Sequence, residues 1–396
     1  MTKKPRLLVL APRMPFPPVS GGERWIAAVL QGLRERFDVS VLAFFSEGLE
    51  ARQAATALQL EHAGFRRMLC LPAPPPAADA GLPLNARVFR SEEARRALAR
   101  LVREDGVDLV HAFFLETAQY VEDLPPGLPV VLTEIDASHF RSRGSYLRGD
   151  GGAADEAELY RAYARRFFPR GDALTALCAE DARILRRLLP GTPVSVVGLS
   201  TEVPAEVPPR PKGGAELVFV GNYLHFPNED AAVHLCRDIL PLLRARAPEV
   251  RVSLVGACPT PAVRALASET VSVTGPVPSV RPWLERAAVF VAPVRIGGGT
   301  KCKVLEAFAH GVPVVATPRV LAGMDAPGAR EAMITADGPE AFAAATLRLL
   351  RDPELRARFS ERGRRLAEER FDDRRAVSDF SALYDGLLAR AGSPRR

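Results

Sequence analysis

Cysteine is sparse and scattered. The five cysteines in 396 residues, Cys70, Cys178, Cys236, Cys258 and Cys302, form no Cys-x-x-Cys and have no histidine at ligand spacing. That excludes a disulfide framework and a zinc ribbon or finger, and it fits reduced thiols in the cytoplasm. Long hydrophobic runs are missing as well: no stretch approaches the roughly 20 apolar residues that cross a bilayer. The apolar run behind the basic start MTKK is about five residues, too short for a secretory signal. Charge of one sign is also lacking, since 53 basic residues face 47 acidic ones for a net +6. With aromatics at 7% and no dense basic stripe between them, a nucleic-acid surface is excluded. The small positive excess suits anionic substrates, and it equally suits peripheral contact with anionic lipid at the inner membrane face. No Asp-x-Asp stands at a strand end, so neither a metal nor any other cofactor is expected.

What is present is a folded α/β pattern. Hydrophobic residues make up 47% and charged residues 25%, and the length suits two domains, each burying its own core. Apolar runs at RLLVLAP (6–12), FDVSVLAFF, RRMLCLPAP, VDLVHAFF, PVVLTEIDAS, DALTALCAED and PVSVVGLS read as buried parallel strands. Helical segments between most of them include one from about Glu23 to Arg36 and one capped by Ser91. The stretch EVPAEVPPRPKGG (202–214) has no apolar period and reads as a linker. The alternation then resumes with LVFVG, VRVSLVG, VSVTG, VFVAPV, VPVVAT and a shorter run near AMITA, and it closes in helices broken near Asp352 and Phe371. Two Rossmann-like parallel-sheet lobes facing a cleft are expected, over 1–201 and 215–370, with 371–396 a final helix returning to the first lobe. Ligands in such sheets sit beyond the carboxyl ends of the strands.

The strongest motif is PVRIGGGTKCKVLEAFAHGVPVVAT (293–317). Gly297, Gly298 and Gly299 make a turn between a strand and a helix that begins near Thr300 or Lys301. Such a turn offers helix-end amides to an anion. Arg295, Lys301 and Lys303 add full charges, and Glu306 shares a helix face with Lys303. A cation for phosphate and a carboxylate for sugar hydroxyls fit a nucleotide diphosphate. In FVGNYLHFPNEDA (219–231), Asn222 follows a strand and is either a ligand contact or a plain turn residue. In PPVSGGERW (17–25), Gly21 and Gly22 precede a helix in a second anion-cradling arrangement. His111 ends one strand, as a catalytic candidate or a satisfied core histidine. Asp136 ends another, as a hydroxyl-binding or acceptor-orienting carboxylate or as a helix cap.

The segment around Leu305, Glu306, Ala307, Phe308, Ala309, Gly311, Pro313, Val314 and Val315 resembles the donor-binding signature LEAMAxGxPVV of GT-B glycosyltransferases of family GT4, the glycosyl transferases group 1. The Gly-rich turn and the GN…FPN pattern at Gly221, Asn222, Phe226, Pro227 and Asn228 are similar to its exopolysaccharide-associated branch. The resemblance implies a GT-B fold and retaining transfer of a sugar from a nucleotide diphosphate-sugar to a hydroxyl acceptor. That acceptor is a lipid-linked sugar, a glycan or a natural product. It implies that Glu306 grips the ribose and that the Gly21–Gly22 loop faces the donor. The chain departs from the family twice. Gly298 stands where a first glutamate is usual, and no basic pair follows the 217–221 strand. Arg295 and Lys303, with the amides of Gly298 to Thr300, are therefore expected to brace the leaving phosphate. The alternatives are an inverting transferase or epimerase with His111 or Asp136 as base, and a non-catalytic nucleotide-sugar-binding subunit.

Overall fold

The apolar runs become central strands covered by helices on both faces, which is why they read as continuous Val/Leu stretches rather than alternating ones. The computed structural model describes residues 3–75, 79, 81–140, 153–208, 214–297, 300–324 and 326–391. One all-parallel sheet holds β1 (Arg6–Ala11), β2 (Asp38–Phe44), β3 (Arg67–Leu71), β4 (Leu109–Phe113), β5 (Val130–Glu134), β6 (Ala173–Ala176) and β7 (Val194–Val196), in the order β3-β2-β1-β4-β5-β6-β7. A second parallel sheet holds β8 (Glu216–Val220), β9 (Arg251–Val255), β10 (Val271–Val273), β11 (Val289–Ala292), β12 (Val314–Ala316) and β13 (Met333–Thr335), in the order β10-β9-β8-β11-β12-β13. The expected strands are all there, in two parallel sheets.

The strand order reverses once in each sheet, between β1 and β4 and between β8 and β11. Connections leave such a switch point in opposite directions and open a crevice at the carboxyl ends. The loops after β1, β4, β8 and β11 are therefore where each unit can hold a ligand.

The chain divides into two compact units. Of the described residues, one takes those up to Gly198 and those from Asp373 onward, and the other takes those from Leu199 to Asp372. Of the proline-rich linker, residues 209–213 lie outside the described residues. The first unit has a core of Leu8, Leu10, Val110, Leu132 and Leu174, each at most 2% exposed. Each such side chain contributes about 1.5–3 kcal/mol through burial.

The closing helix Asp373–Ala391 packs on helix Gly21–Leu33 of the first unit. A Cβ on Gly32 would lie 2.5 Å from Val377 Cγ2, so the absence of a side chain lets the two helices touch. Phe380 then lies between Trp25 and Phe113, with ring centroids 6.0 Å from each.

Candidate functional site

The crevice at the β8/β11 switch point gathers most of the residues singled out in the second half. After β8 the chain turns through Gly221 and Asn222. The Asn222 side-chain oxygen accepts from the Leu224 amide at 3.1 Å, an Asx turn, while its carbonyl accepts from Asn228 Nδ2 at 2.8 Å. The turn is wedged tightly. Gly256, just past β9, has φ +136°, and a Cβ there would lie 2.1 Å from the Gly221 carbonyl oxygen. Asn228, on helix Phe226–His234, presents its remaining oxygen to Lys303 Nζ at 2.5 Å. The Lys303 ammonium also stands 4.4 Å from the centroid of the Phe219 ring in β8.

Lys303 is thus held by a neutral amide and an aromatic face, and among the described residues no carboxylate pairs with it. Burial, reinforced by repulsion from Lys301, lowers its pKa to about 7. A buried cation with only neutral partners is stabilised by an added anion. Lys303 lies in the first turn of helix Cys302–Ala309, so the helix dipole adds to the same attraction. Glu306 is one turn further along and 9% exposed.

The surroundings of this helix adjust two expectations and bear on a third. The helix starts at Cys302, with Lys301 as its N-cap, because Thr300 is bound elsewhere: its hydroxyl donates to the Gly323 carbonyl at 2.7 Å. Arg295 is not a second unopposed cation. Its guanidinium makes a two-point pair with Asp230, Nε at 3.1 Å and Nη2 at 2.6 Å, so its charge is largely offset. Of the three glycines, Gly297 is in the left-handed region at φ +97°, and Gly298 and Gly299 lie outside the described residues.

In the first unit, Gly21 and Gly22 are the first two residues of a helix rather than a loop before it. Ser20 caps that helix by accepting from the Glu23 amide at 3.2 Å, and the Glu23 carboxylate accepts from the Val19 amide at 2.7 Å. This capping box uses the Glu23 amide, while the amides of Gly21 and Gly22 have no intrahelical carbonyl to bond. Gly22 faces Phe114, just after β4 at the β1/β4 switch point. A Cβ on Gly22 would meet that ring at 3.2 Å, and Phe114 itself has φ +67°.

His111 is corrected. It lies in the middle of β4, completely buried, with Nδ1 2.5 Å from the Tyr384 hydroxyl and Nε2 2.6 Å from Thr133 Oγ1. Burial lowers its pKa to about 3. Both nitrogens are engaged inside the core, so neither is left for a substrate, and His111 instead ties the closing helix to the sheet.

Asp136 stands just beyond β5, half-buried, among acidic groups that sequence reasoning missed. Glu134 accepts from the Asp136 amide at 2.9 Å. Asp181, in the first turn of helix Ala179–Leu188, lies 3.2 Å from Cys178 Sγ, and burial raises its pKa to about 6. Glu116 follows β4 and is also raised by burial. The one sequence signal for Glu134 was a carboxylate closing an otherwise apolar strand, VVLTE.

Among the described residues no helix is long and apolar enough to cross a membrane, and no group of three or more His, Cys, Asp or Glu is arranged to hold a metal ion. Two family models match the chain: "Glycosyl transferases group 1" over residues 214–352 and "Glycosyl transferase 4-like domain" over 20–200. A comparison with curated proteins found no match. Solved structures of similar fold include a sucrose-phosphate synthase from Thermosynechococcus elongatus, with TM-score 0.72, 14% identity, and 98% of this chain and 100% of that one covered. TarM is similar at TM-score 0.73 and 9% identity, covering 97% and 99%. HepE of Anabaena, in complex with UDP and glucose, is similar at TM-score 0.65 and 14% identity, covering 96% and 99%. Two parallel-sheet units with loops converging at strand switch points, matched by these models, define a glycosyltransferase of GT-B fold. Residues 214–352 carry the group 1 domain and residues 20–200 the 4-like domain.

Proposed function

We propose that this enzyme takes a sugar from a nucleotide diphosphate-sugar held at the β8/β11 crevice and transfers it to a hydroxyl acceptor with retention at the anomeric carbon. The observation that carries this is the Asn222–Asn228–Lys303 chain of hydrogen bonds, which holds at the start of a helix a cation that no carboxylate among the described residues pairs with. In this reading the diphosphate lies against Lys303 and the amides of helix Cys302–Ala309, and Glu306 accepts from the ribose hydroxyls. HepE and TarM have both been captured with UDP, which supports a nucleotide donor. The bond from the anomeric carbon to the phosphate oxygen breaks as charge on that oxygen is stabilised by Lys303 and the helix end. The acceptor oxygen bonds the same carbon from the same face, and its proton passes to the leaving phosphate. Arg295, paired with Asp230, positions the turn ahead of the helix.

Inversion is the second reading, and the carboxylates beyond β5 favour it, because Asp136 or a neighbour would then take the acceptor proton. Titration calorimetry with UDP, GDP and dTDP on the wild type and Glu306→Ala tests donor binding. The wild type should bind at least one diphosphate, and the variant should bind it more weakly. Absence of binding to all three contradicts the donor site. Proton NMR of the transfer product then reads the anomeric configuration and decides between retention and inversion.

A further inference from the structure

A cavity of about 440 Å³ lies in the second unit, and none of its lining residues belongs to the loops after β8 and β11. Its volume falls among those of small-molecule sites, about 300–1,000 Å³. Met333, Ile334 and Thr335, the three residues of β13, all line it. Successive strand residues point to opposite faces, so a cavity that touches all three runs along the edge of the strand. β13 is the last strand of its sheet, so no further strand covers that edge. The other walls are helix Pro339–Arg351, through Arg348, and helix Pro353–Arg370, through Leu355, Arg358, Phe359 and Arg362.

The charges around the opening are of one sign. Arg358 and Arg362 stand four residues apart and share a helix face. They and Arg348 are solvent-exposed, and among the described residues none of the three has an ion pair or a side-chain hydrogen bond. Their neighbours on the same helix differ: Arg364 pairs with Glu368 at 2.5 Å, and Arg365 with Glu361 at 2.6 Å. Three guanidinium groups at one opening repel each other, and a bound anion relieves that repulsion. Their planar forks suit the oxygens of a phosphate or carboxylate. Deeper in, the lining is apolar. Met333 is 2% and Leu355 5% exposed, and Ile334 and Phe359 are half-buried. A hydrocarbon body gains by covering that surface, whereas an inorganic ion leaves it wet. Three cations also favour a head with more than one negative charge, and a phosphate monoester carries about −1.5 to −2 at pH 7.

We propose that this cavity binds a phosphate monoester of an apolar alcohol, with the phosphate on Arg348, Arg358 and Arg362 and the hydrocarbon against Met333, Leu355 and Phe359. The site shares no residue with the donor crevice and does not depend on the transferase reading. The test is ligand-observed NMR with octyl phosphate below its micelle concentration, set against butyl phosphate, octanoate and octanol. The wild type should bind octyl phosphate best. Butyl phosphate should bind at least tenfold more weakly, since each methylene taken out of water is worth about fourfold. Octanoate should also bind more weakly, and octanol should not bind. The double variant Arg358→Gln/Arg362→Gln should weaken octyl phosphate binding about tenfold. Arg358→Lys/Arg362→Lys, which keeps the charge, should retain most of it. Lys303→Met, which removes the donor-site cation, should leave it unchanged. Melting curves show that each variant is folded. The proposal is overturned if octyl phosphate does not bind, if octanol or octanoate binds as well as octyl phosphate does, or if the folded glutamine variant binds like the wild type. A loss in Lys303→Met with none in the glutamine variant would place the binding in the donor crevice and overturn it too. UDP titrations of the glutamine variant should match the wild type, so the donor reading stands or falls separately.

Discussion

Lys303 Nζ stands 2.5 Å from Asn228 Oδ1, and through that contact two motifs 75 residues apart become one structure. Asn228 has its amide nitrogen on the Asn222 carbonyl, so it orients its oxygen toward the ammonium without neutralising it. Replacing Lys303 by Met should cost about 10- to 100-fold in nucleoside diphosphate affinity, the worth of one or two charge-assisted hydrogen bonds. Affinity for the uncharged nucleoside should not change. Asn228→Asp should give a smaller loss of diphosphate affinity, because a carboxylate would occupy the ammonium. Titration calorimetry of the variants with diphosphate and nucleoside checks both.

Diphosphate binding should depend on pH through Lys303. In the free protein its pKa is lowered to about 7, first by burial and then by Lys301. A bound diphosphate favours the charged form, so binding above that pH takes up a proton. Affinity should hold near pH 7 and fall as pH rises, by up to about tenfold per unit. Below about pH 6 the phosphate itself gains a proton and affinity falls again. Calorimetry in buffers of different ionisation enthalpy measures the uptake. A flat profile between pH 7 and 9, with no proton taken up, rules Lys303 out as the phosphate cation.

His111 should matter for stability and not for donor binding. Tyr384→Phe removes its Nδ1 partner and should cost about 1 kcal/mol. His111→Ala should cost about 2–4 kcal/mol, since it also opens a cavity beside Phe113 and Phe380. The folded pKa of about 3 lies below the ordinary 6.5, so the unfolded chain takes up a proton that the folded one refuses. The contribution is complete above pH 6.5 and is lost as pH falls toward 3. Denaturant melts of the wild type and His111→Phe between pH 8 and 4 should show a shallower acid loss in the variant.

Gly256→Ala should damage the donor site from outside it. The new Cβ would fall 2.1 Å from the Gly221 carbonyl oxygen, backbone that cannot rotate away, at a φ that L residues rarely adopt. The turn carrying Asn222 must move. A stability loss on the order of 2–4 kcal/mol is expected, together with weaker diphosphate binding. Thermal melts and calorimetry read both, and unchanged affinity in a folded variant would show that the Asn222 turn is not part of the site.

The strands were legible because a strand covered on both faces must be apolar throughout, as Leu7 to Leu10 and Val130 to Leu132 are. The helix after β1 was placed two residues late, although SGGE at 20–23 carries the Ser-x-x-Glu capping box; two glycines in a row read more readily as a loop. Pairings across long sequence distances were not legible. The burial of His111 depends on Tyr384, 273 residues away, and the loss of Arg295 as a spare cation depends on Asp230 in helix Phe226–His234. Lys303 and Glu306 were found because a helix fixes their common face locally. Glu134 was missed because a single carboxylate at the end of an apolar run gives no sign of being buried.

The most direct measurement of the central claim is a crystal structure of the protein with a bound nucleoside diphosphate. The account predicts phosphate oxygens within hydrogen-bond distance of Lys303 Nζ and of the first amides of helix Cys302–Ala309, with a ribose hydroxyl on Glu306. A diphosphate bound away from that helix, or with Lys303 still held only by Asn228 and Phe219, would contradict it.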